Sequence, residues 1–564
     1  MASKKALLGG QHVKVENFSG FDKSRFNAFT APLGAIVPFV KQLLLPGSFD
    51  LKVAISAQLP PLATDAFLRS HLKVEAFFVP LRLCYGGFQS WFAGEKLSST
   101  GTTLVQGKLP RLKVIGARSV EGSNHSSLQA KRDKFFGSHS LMDYFGVKYQ
   151  MVNGHAIVPF ADPSISGYAN YAYFNIFPFI AYQRICDEWY RNKLIEKPFF
   201  CPPISDGAVT LDKPSFAPFV SFKNIHDYQV DLTDLAEDSI SLLNGGLLDL
   251  RFRNYGFDYF TTGLPSAQDG SPMAVDTSSG SFTISALRIA NSSQHFAEIN
   301  QLAGPDYRAV NKARYGVEPS AVAVQKPVLL GSADFPMFTS GVEQTAQGVG
   351  DVGTGNPFAG IAARYGRAHA EGSDFVCKGR VDEPGYLMVM TSLVPEANYA
   401  VGISHDMKIF TQEGSIVDLP CALLENSGYE PIYTREVSLD DSNAPSQQVF
   451  AYQPRYMWHK SGQVSEVHGL FRKGCSLESF IPQRQSVGGS SFSTLTSGFL
   501  KVASTDLDNI TAVSAALSDY GVMIDSKIDL FVSEPLSEST LPSLCDPAYE
   551  HGRDVYLRRG GVGL

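Results

Sequence analysis

Gly348-Val-Gly-Asp-Val-Gly353 has the GxGxxG spacing that lets backbone N–H groups meet a dinucleotide pyrophosphate, provided a strand precedes it and a helix start follows. Gln344-Thr-Ala-Gln precedes it and Gly355-Asn-Pro follows, so both supports are missing and a Gly-rich loop is expected. His459 and His468 with Glu466 between them carry acid–base or metal-binding atoms, but their spacing fits no compact zinc pattern, and surface or interface histidines are the expectation. Gly488-Gly-Ser-Ser491 lacks the GxSxG elbow of a hydrolase nucleophile. Asp506-Leu-Asp508-Asn509 starts like a calcium loop without the required Gly and distal Glu. No catalytic residue, no metal ligand and no cofactor site is therefore assigned.

Cations offer a different chemistry, attraction of phosphate. Lys108, Arg111, Lys113, Arg118, Lys131, Arg132 and Lys134 outnumber Glu121 and Asp133 within one stretch, where a solvated loop competes with a phosphate-binding one. Lys4 and Lys5 at one end, and Arg553, Arg558 and Arg559 at the other, are the candidate DNA contacts, because flexible basic ends reach a nucleic acid without a shaped groove. The whole chain has a formal charge of −7, so any such contact is local.

These residues need elements to hold them. Phe49, Leu51, Val53, Ile55, Ala57 and Leu59 alternate along a strand that Pro60-Pro61 stops, and Leu72 to Val79 forms a second that ends at Pro80. Gly385-Tyr-Leu-Met-Val-Met-Thr-Ser-Leu-Val394, closed by Pro395, is an apolar run that predicts a buried central strand. Val522, Ile524, Ile528, Leu530 and Val532 share a face of the last clear strand. Ser140 caps a short helix with Asp143 in place of the usual Glu or Gln and Gly146 as its stop. A longer helix follows Pro178, with Phe179, Tyr182, Cys186 and Trp189 on one stripe and the opposite charges Arg184/Glu188 and Asp187/Arg191 four apart. Ser285 to Ala303 predicts a third helix, with Ile289, Phe296 and Ile299 on one side. Gly331 to Gly372, rich in small residues, predicts a long loop.

The 564 residues contain 39 Phe and 23 Tyr but only 18% charged residues, against a norm of about 25%. That shortfall suggests surface buried against neighbours. Cys84, Cys186, Cys201, Cys377, Cys421, Cys475 and Cys545 show no CxxC spacing, so reduced and mostly buried thiols are expected. The basic start lacks the apolar segment of a signal peptide, and no apolar run reaches the roughly 18 residues of a membrane span, so a soluble product of a cytoplasm is expected. Two early strands cannot form a stable sheet alone and should pair with the late ones. The expectation is an all-β core, a jelly-roll β-barrel with long loop insertions containing some helices, built as one unit over 1–564. Its strands would lie mainly in 45–82 and 370–535, with insertions over 83–369 and a C-terminal extension over 536–564.

Short strings spread along nearly the whole chain carry a family resemblance. They are Leu45-Pro-Gly-Ser-Phe-Asp-Leu51, Phe77-Phe-Val-Pro-Leu-Arg-Leu83 with Trp91-Phe-Ala-Gly-Glu95, Pro178-Phe-Ile-Ala-Tyr182 with Asp187-Glu-Trp-Tyr-Arg191, and Asp258-Tyr-Phe-Thr-Thr-Gly-Leu-Pro265. Arg314-Tyr-Gly-Val317, Gln325-Lys-Pro327, Glu383-Pro-Gly-Tyr386, Phe450-Ala-Tyr-Gln-Pro-Arg-Tyr456 and Gly469-Leu-Phe-Arg472 follow in order. In this order the chain resembles the major capsid proteins of the Microviridae, small single-stranded DNA bacteriophages, and is most similar to the gokushovirus-like branch.

The resemblance implies an eight-stranded viral jelly-roll β-barrel subunit that self-assembles into an icosahedral (T=1) shell around single-stranded DNA, with no enzyme activity. It implies as partners further copies of the chain, the packaged DNA, small basic DNA-binding and scaffolding proteins, a minor pilot protein and a host surface receptor, but no membrane. Assembly would take place in the bacterial host cytoplasm, and the product would reside in the virion. Relatives carry a long insertion after the segment matching Asp258 to Pro265, forming a threefold protrusion; here Ser266 to Ser285 leaves room for a short one or none. Ser266 also stands where the family has an aromatic residue. Gln453-Pro-Arg455 is expected where a strand leaves the barrel toward a neighbour. A carbohydrate-binding or host-recognition β-protein, a fibre or lectin-like module, is the alternative, and a stable monomer or trimer would favour it.

Overall fold

In the computed structural model the described residues are 19–85, 137–147, 171–196, 246–266, 306–320, 325–343, 364–400, 428–437, 448–461, 464–484 apart from 473, 494–512 and 521–536. Short pieces within 88–115, 150–157, 198–231, 284–296 and 402–420 are also described.

Five early strands, β1 (Ser19–Asp22), β2 (Arg25–Ala31), β3 (Val37–Leu44), β4 (Gly47–Gln58) and β5 (Ser70–Pro80), are followed far along the chain by β6 (Val328–Pro336), β7 (Phe338–Glu343), β8 (Arg364–Val381) and β9 (Gly385–Pro395). β10 (Tyr429–Tyr433), β11 (Val449–Pro454) and β12 (Val522–Glu534) complete the set that matters here. One antiparallel sheet runs β1-β12-β4-β8-β7, with β2 also on β12; a second runs β6-β5-β9-β3. Early strands thus pair with late ones, as the sequence requires. In the first sheet Leu51 lies between Leu530 and Cys377, and Val53 between Ile528 and Phe375.

The two sheets face each other across one apolar core. The inward residues of β4, Phe49, Leu51, Val53, Ile55 and Ala57, are all buried, and so are Val522, Ile524, Ile528, Leu530 and Val532 of β12. Ser526 is the polar member of that β12 face, and its hydroxyl donates to the Asn27 carbonyl at 2.9 Å. Each large apolar side chain taken from water contributes roughly 1.5–3 kcal/mol, so alternation this long fixes the register. β9 is different, being buried at every residue from Gly385 to Pro395. Leu387, Val389 and Leu393 join the core between the sheets, while Tyr386, Met388 and Met390 point outward into a second apolar cluster. Two covered faces explain why this strand is apolar throughout rather than alternating.

Helices cover that outer face. Ser140 caps α1 (Leu141–Tyr144) by accepting from the Asp143 N–H at 3.1 Å, and Gly146 takes φ +80° just beyond it. α2 (Phe177–Ile185) runs on into a π-helical turn, Cys186–Tyr190. Phe179, Tyr182 and Cys186 are buried as the stripe predicts, but the extra residue per turn swings Tyr190 inward and leaves Trp189 partly exposed. Tyr182, wholly buried, donates its hydroxyl to the Ile36 carbonyl and accepts from the Arg251 N–H, both at 2.9 Å. Arg191 and Asp187 pair at 2.6 Å, whereas Glu188 meets Lys193 and Lys326.

The expected loop at Gly331 to Gly372 needs correction, because β6, β7 and the start of β8 lie in it, within the region assigned to insertions. β1 to β3 likewise lie ahead of residue 45. β6 is an edge strand, only half-covered, so its pattern is weak. The small residues that looked like loop are demanded by close approach: a Cβ on Gly366 would overlap the Thr64 carbonyl, and one on Gly372 the Phe335 ring.

β10 and β11 form a two-stranded ribbon outside both sheets, over a third cluster containing Tyr259, Phe260, Phe450 and Phe499. Gln453 is buried there and donates to the Tyr259 carbonyl at 2.7 Å, while Arg455 is buried in the ribbon rather than in the core between the sheets. Among the described cysteines Cys84, Cys186 and Cys377 are buried and Cys475 is exposed, all four as free thiols.

Candidate assembly surface

α3 (Tyr307–Tyr315) is a nine-residue helix with no buried residue. Gly316 closes it in the left-handed region at φ +72°, donating its N–H to the Lys312 carbonyl at 2.8 Å. Tyr307, Tyr315 and Val317 stand exposed, Tyr315 at 72%. The described residues between 284 and 296 are helical, as expected, and Ile284, Ile289 and Phe296 are exposed as well. Arg314 lies over the Phe296 ring at 4.6 Å, so the two helical pieces touch. An isolated helix shorter than about 12–15 residues is marginal in water, so an arm of this kind calls for outside packing.

A compact charge network ties the arm to the body. Asp306, at the start of α3, accepts from Lys193 at 2.9 Å and from Lys326 at 2.6 Å, and both lysines also contact Glu188. Burial alone would raise the Asp306 carboxyl, but the hydrogen bonds from Lys326 and Lys193 outweigh it and hold it at about 2. Deeper in, Arg253 grips Glu75 through two nitrogens, at 2.6 and 3.2 Å, and Tyr190 donates its hydroxyl to the same carboxylate at 2.5 Å.

Beside the network a cavity of about 890 Å³ is lined by Trp189, Leu194, Phe257, Val394 and Leu500 among others. Phe257 at its rim is 94% exposed. A second cavity, of about 680 Å³, is one that sequence reasoning missed. In it His405 Nδ1 lies 2.9 Å from the buried Glu436 carboxylate, with the His405 ring 4.7 Å from that of Trp458. Its parts come from three distant segments, so no local spacing could have announced it. Phe26, Phe338 and Phe531 add further exposed aromatic surface on the first sheet.

The sequence candidates fall elsewhere. Lys4, Lys5, Arg553, Arg558 and Arg559 lie outside the described residues, as do the GxGxxG stretch, most of Ser266 to Ser285, Gly488-Gly-Ser-Ser491 and most of the basic stretch from Lys108 to Lys134. His468 pairs with Glu466 at 3.3 Å near the surface, while His459 lies exposed against Trp458. No three His, Cys, Asp or Glu side chains gather to metal-binding distance among the described residues. Asp506 does structural work: it accepts from the buried Tyr255 hydroxyl at 2.5 Å and the Ala503 N–H at 3.0 Å. Among the described residues no helix is long and apolar enough to cross a membrane.

Two packed sheets with an exposed apolar arm and open aromatic clefts define a β-rich subunit shaped for contact with other molecules. Residues 224–544 match the phage capsid protein (F protein) family, and the chain belongs to that family. It is also similar to "Capsid protein VP1" of Chlamydia phage 1, at 24% identity over 265 residues. That alignment spans 46% of this chain and 35% of the relative's length. The resemblance carried by the short strings is borne out at the family level, and the family's role is structural.

Proposed function

We propose that the chain is the major capsid subunit of an icosahedral T=1 shell enclosing single-stranded DNA, and that its two sheets form a viral jelly roll. β1 and β2 lie end to end along β12, and only Met337 separates β6 from β7. Counting each pair as one strand gives eight, which in chain order run 1-8-3-6-5 in one sheet and 2-7-4-5 in the other, the fifth strand passing from one sheet to the other at Met337. That interleaving is what two Greek keys produce. The region 83–369 then supplies insertions, β6 and β7 excepted, and 536–564 an extension. Lys4, Lys5, Arg553, Arg558 and Arg559 would face the genome, while scaffolding, pilot and DNA-binding proteins and a host receptor would be further partners, the virion being the final location.

The observation that carries the reading is the helical arm, whose helix α3 buries none of its residues and whose Ile289, Phe296, Tyr307 and Tyr315 stay exposed. In a closed shell each copy meets several neighbours through heterologous surfaces, and obligate contacts of about 2,000 Å² or more cover apolar area that a monomer could not leave open. Co-expression with assembly partners followed by sedimentation tests this. Wild type should give a large closed particle, and Ile289→Asp with Tyr315→Asp should give folded but unassembled subunits. A variant that still closes would remove the arm from the contact. A second reading, host-surface carbohydrate recognition, is favoured only by the cavity holding Trp458 beside Glu436, Glu466 and Arg472; glycan binding by a stable monomer or trimer would support it.

A further inference from the structure

Among the described residues Phe257 is the most exposed large apolar side chain, at 94%, yet the chain around it is tightly braced. Thr261, itself buried, closes a clip across it: its hydroxyl accepts from the Asp258 N–H at 2.8 Å and donates to the Gly256 carbonyl at 3.0 Å. The Asp258 carboxylate accepts from the Phe260 and Thr261 N–H groups at 2.9 and 2.7 Å and from the Tyr399 hydroxyl at 2.7 Å. On the other side the Tyr255 N–H donates to the Leu500 carbonyl at 2.9 Å. Both flanks of Phe257 are thus tied to the body, and an aromatic ring is left in water on a rigid knuckle. Fixing such an anchor in advance lowers the ordering cost of binding, the condition that favours an interface hot spot.

The knuckle stands at the rim of the cavity of about 890 Å³, where Trp189 and Leu194 are partly exposed and Val394 and Leu500 are buried. The charges lining that cavity are spent within the subunit. Asp334 lies 3.0 Å from His71 Nδ1 and 3.5 Å from Lys73, Asp306 takes Lys193 at 2.9 Å, Arg253 holds Glu75, Arg191 holds Asp187, and Glu396 faces Arg69 at 3.8 Å. A charged ligand taken out of water needs a counter-charge, and the described lining residues keep none in reserve; an apolar ring needs none. A knob and a hole on one patch make the patch self-complementary, so the ring of one copy suits the cavity of another. Asp306, at the root of the arm, lines the same cavity, so this patch is continuous with the arm.

We infer that Phe257 anchors a contact between copies of this chain, its ring seated in the cavity of a second copy against Trp189 and Leu194. The knob and the hole stand on their geometry; the choice of a second copy as the occupant rests on the shell reading. The contact differs from that of the arm in having a preformed hole and a braced anchor to fill it.

The test uses the full chain, followed by sedimentation over a range of concentrations and again after co-expression with assembly partners. Phe257→Ala should melt with wild type, because the side chain lies in water, yet weaken self-association by about thirtyfold or more, a hot-spot loss of ~2 kcal/mol at ~1.4 kcal/mol per tenfold. Phe257→Leu should fall between the two. In a second arm, Phe257 is replaced by the photo-reactive p-benzoylphenylalanine, and the variant is mixed with isotope-labelled wild-type chain and irradiated. Peptide mapping should join position 257 to labelled peptides carrying Trp189, Leu194 or Val394. Unchanged association in Phe257→Ala overturns the contact, and so do links confined to one chain, to other surfaces or to a co-expressed protein, the last of which would give the ring to that partner. Phe257→Ala that closes shells as readily as wild type sinks the contact alone. A dimer or trimer that depends on Phe257 and never grows into a closed particle sinks the shell reading alone.

Discussion

Glu75 sits where β5 meets the helical layer, and its carboxylate is committed to Arg253 and Tyr190. Arg253 and Glu75 are mostly buried, so removing the acid leaves an uncompensated guanidinium. Glu75→Ala should destabilise the subunit by about 3–5 kcal/mol, read as a fall in the denaturation midpoint. Asp306 works at the surface, and its test is acid. Its folded carboxyl, at about 2, lies below the ordinary 3.8, so the stability it contributes is present in full above 3.8 and is lost as pH falls through 2. Melting curves between those limits should show an acid-sensitive component in wild type that Asp306→Asn lacks. Neither residue was singled out in the sequence, since their partners lie 115 to 178 residues away from Glu75 and 20 to 113 from Asp306. The local pair Asp187/Arg191, four residues apart on one helix face, was legible for that reason.

Among elements, legibility tracked burial. β4 and β12 alternate because one face meets the core, and β9 is continuously apolar because both of its faces are covered, so all three could be read directly. β6 and β7 could not, because edge strands bury little, and the glycines in the first half of β8 serve close packing instead of turning the chain. Gly372→Ala tests that account: the added methyl would overlap the Phe335 ring, and the variant should lose about 1–3 kcal/mol of stability, seen in thermal melting. The π-helical turn after α2 escaped for a related reason. A 3.6-residue period points Trp189 inward, and only the extra residue per turn brings Tyr190 there. The site elements followed the same rule, since α3 carries no buried residue and so no face that an intramolecular core would mark.

For the whole molecule, the pairing of early strands with late ones was deducible, because two strands cannot form a stable sheet alone. In the proposed shell the apolar arm, the open clefts and the low charge content describe one condition, a subunit whose surface is finished by its neighbours. Composition hinted at this, but which surface stays open depends on contacts that no local pattern records. The most direct measurement is a side-chain-resolution reconstruction of the particle formed by co-expression. A closed shell in which Ile289, Tyr307 and Tyr315 are covered by an adjacent copy is the predicted result. A stable monomer or trimer with those residues in water would contradict it.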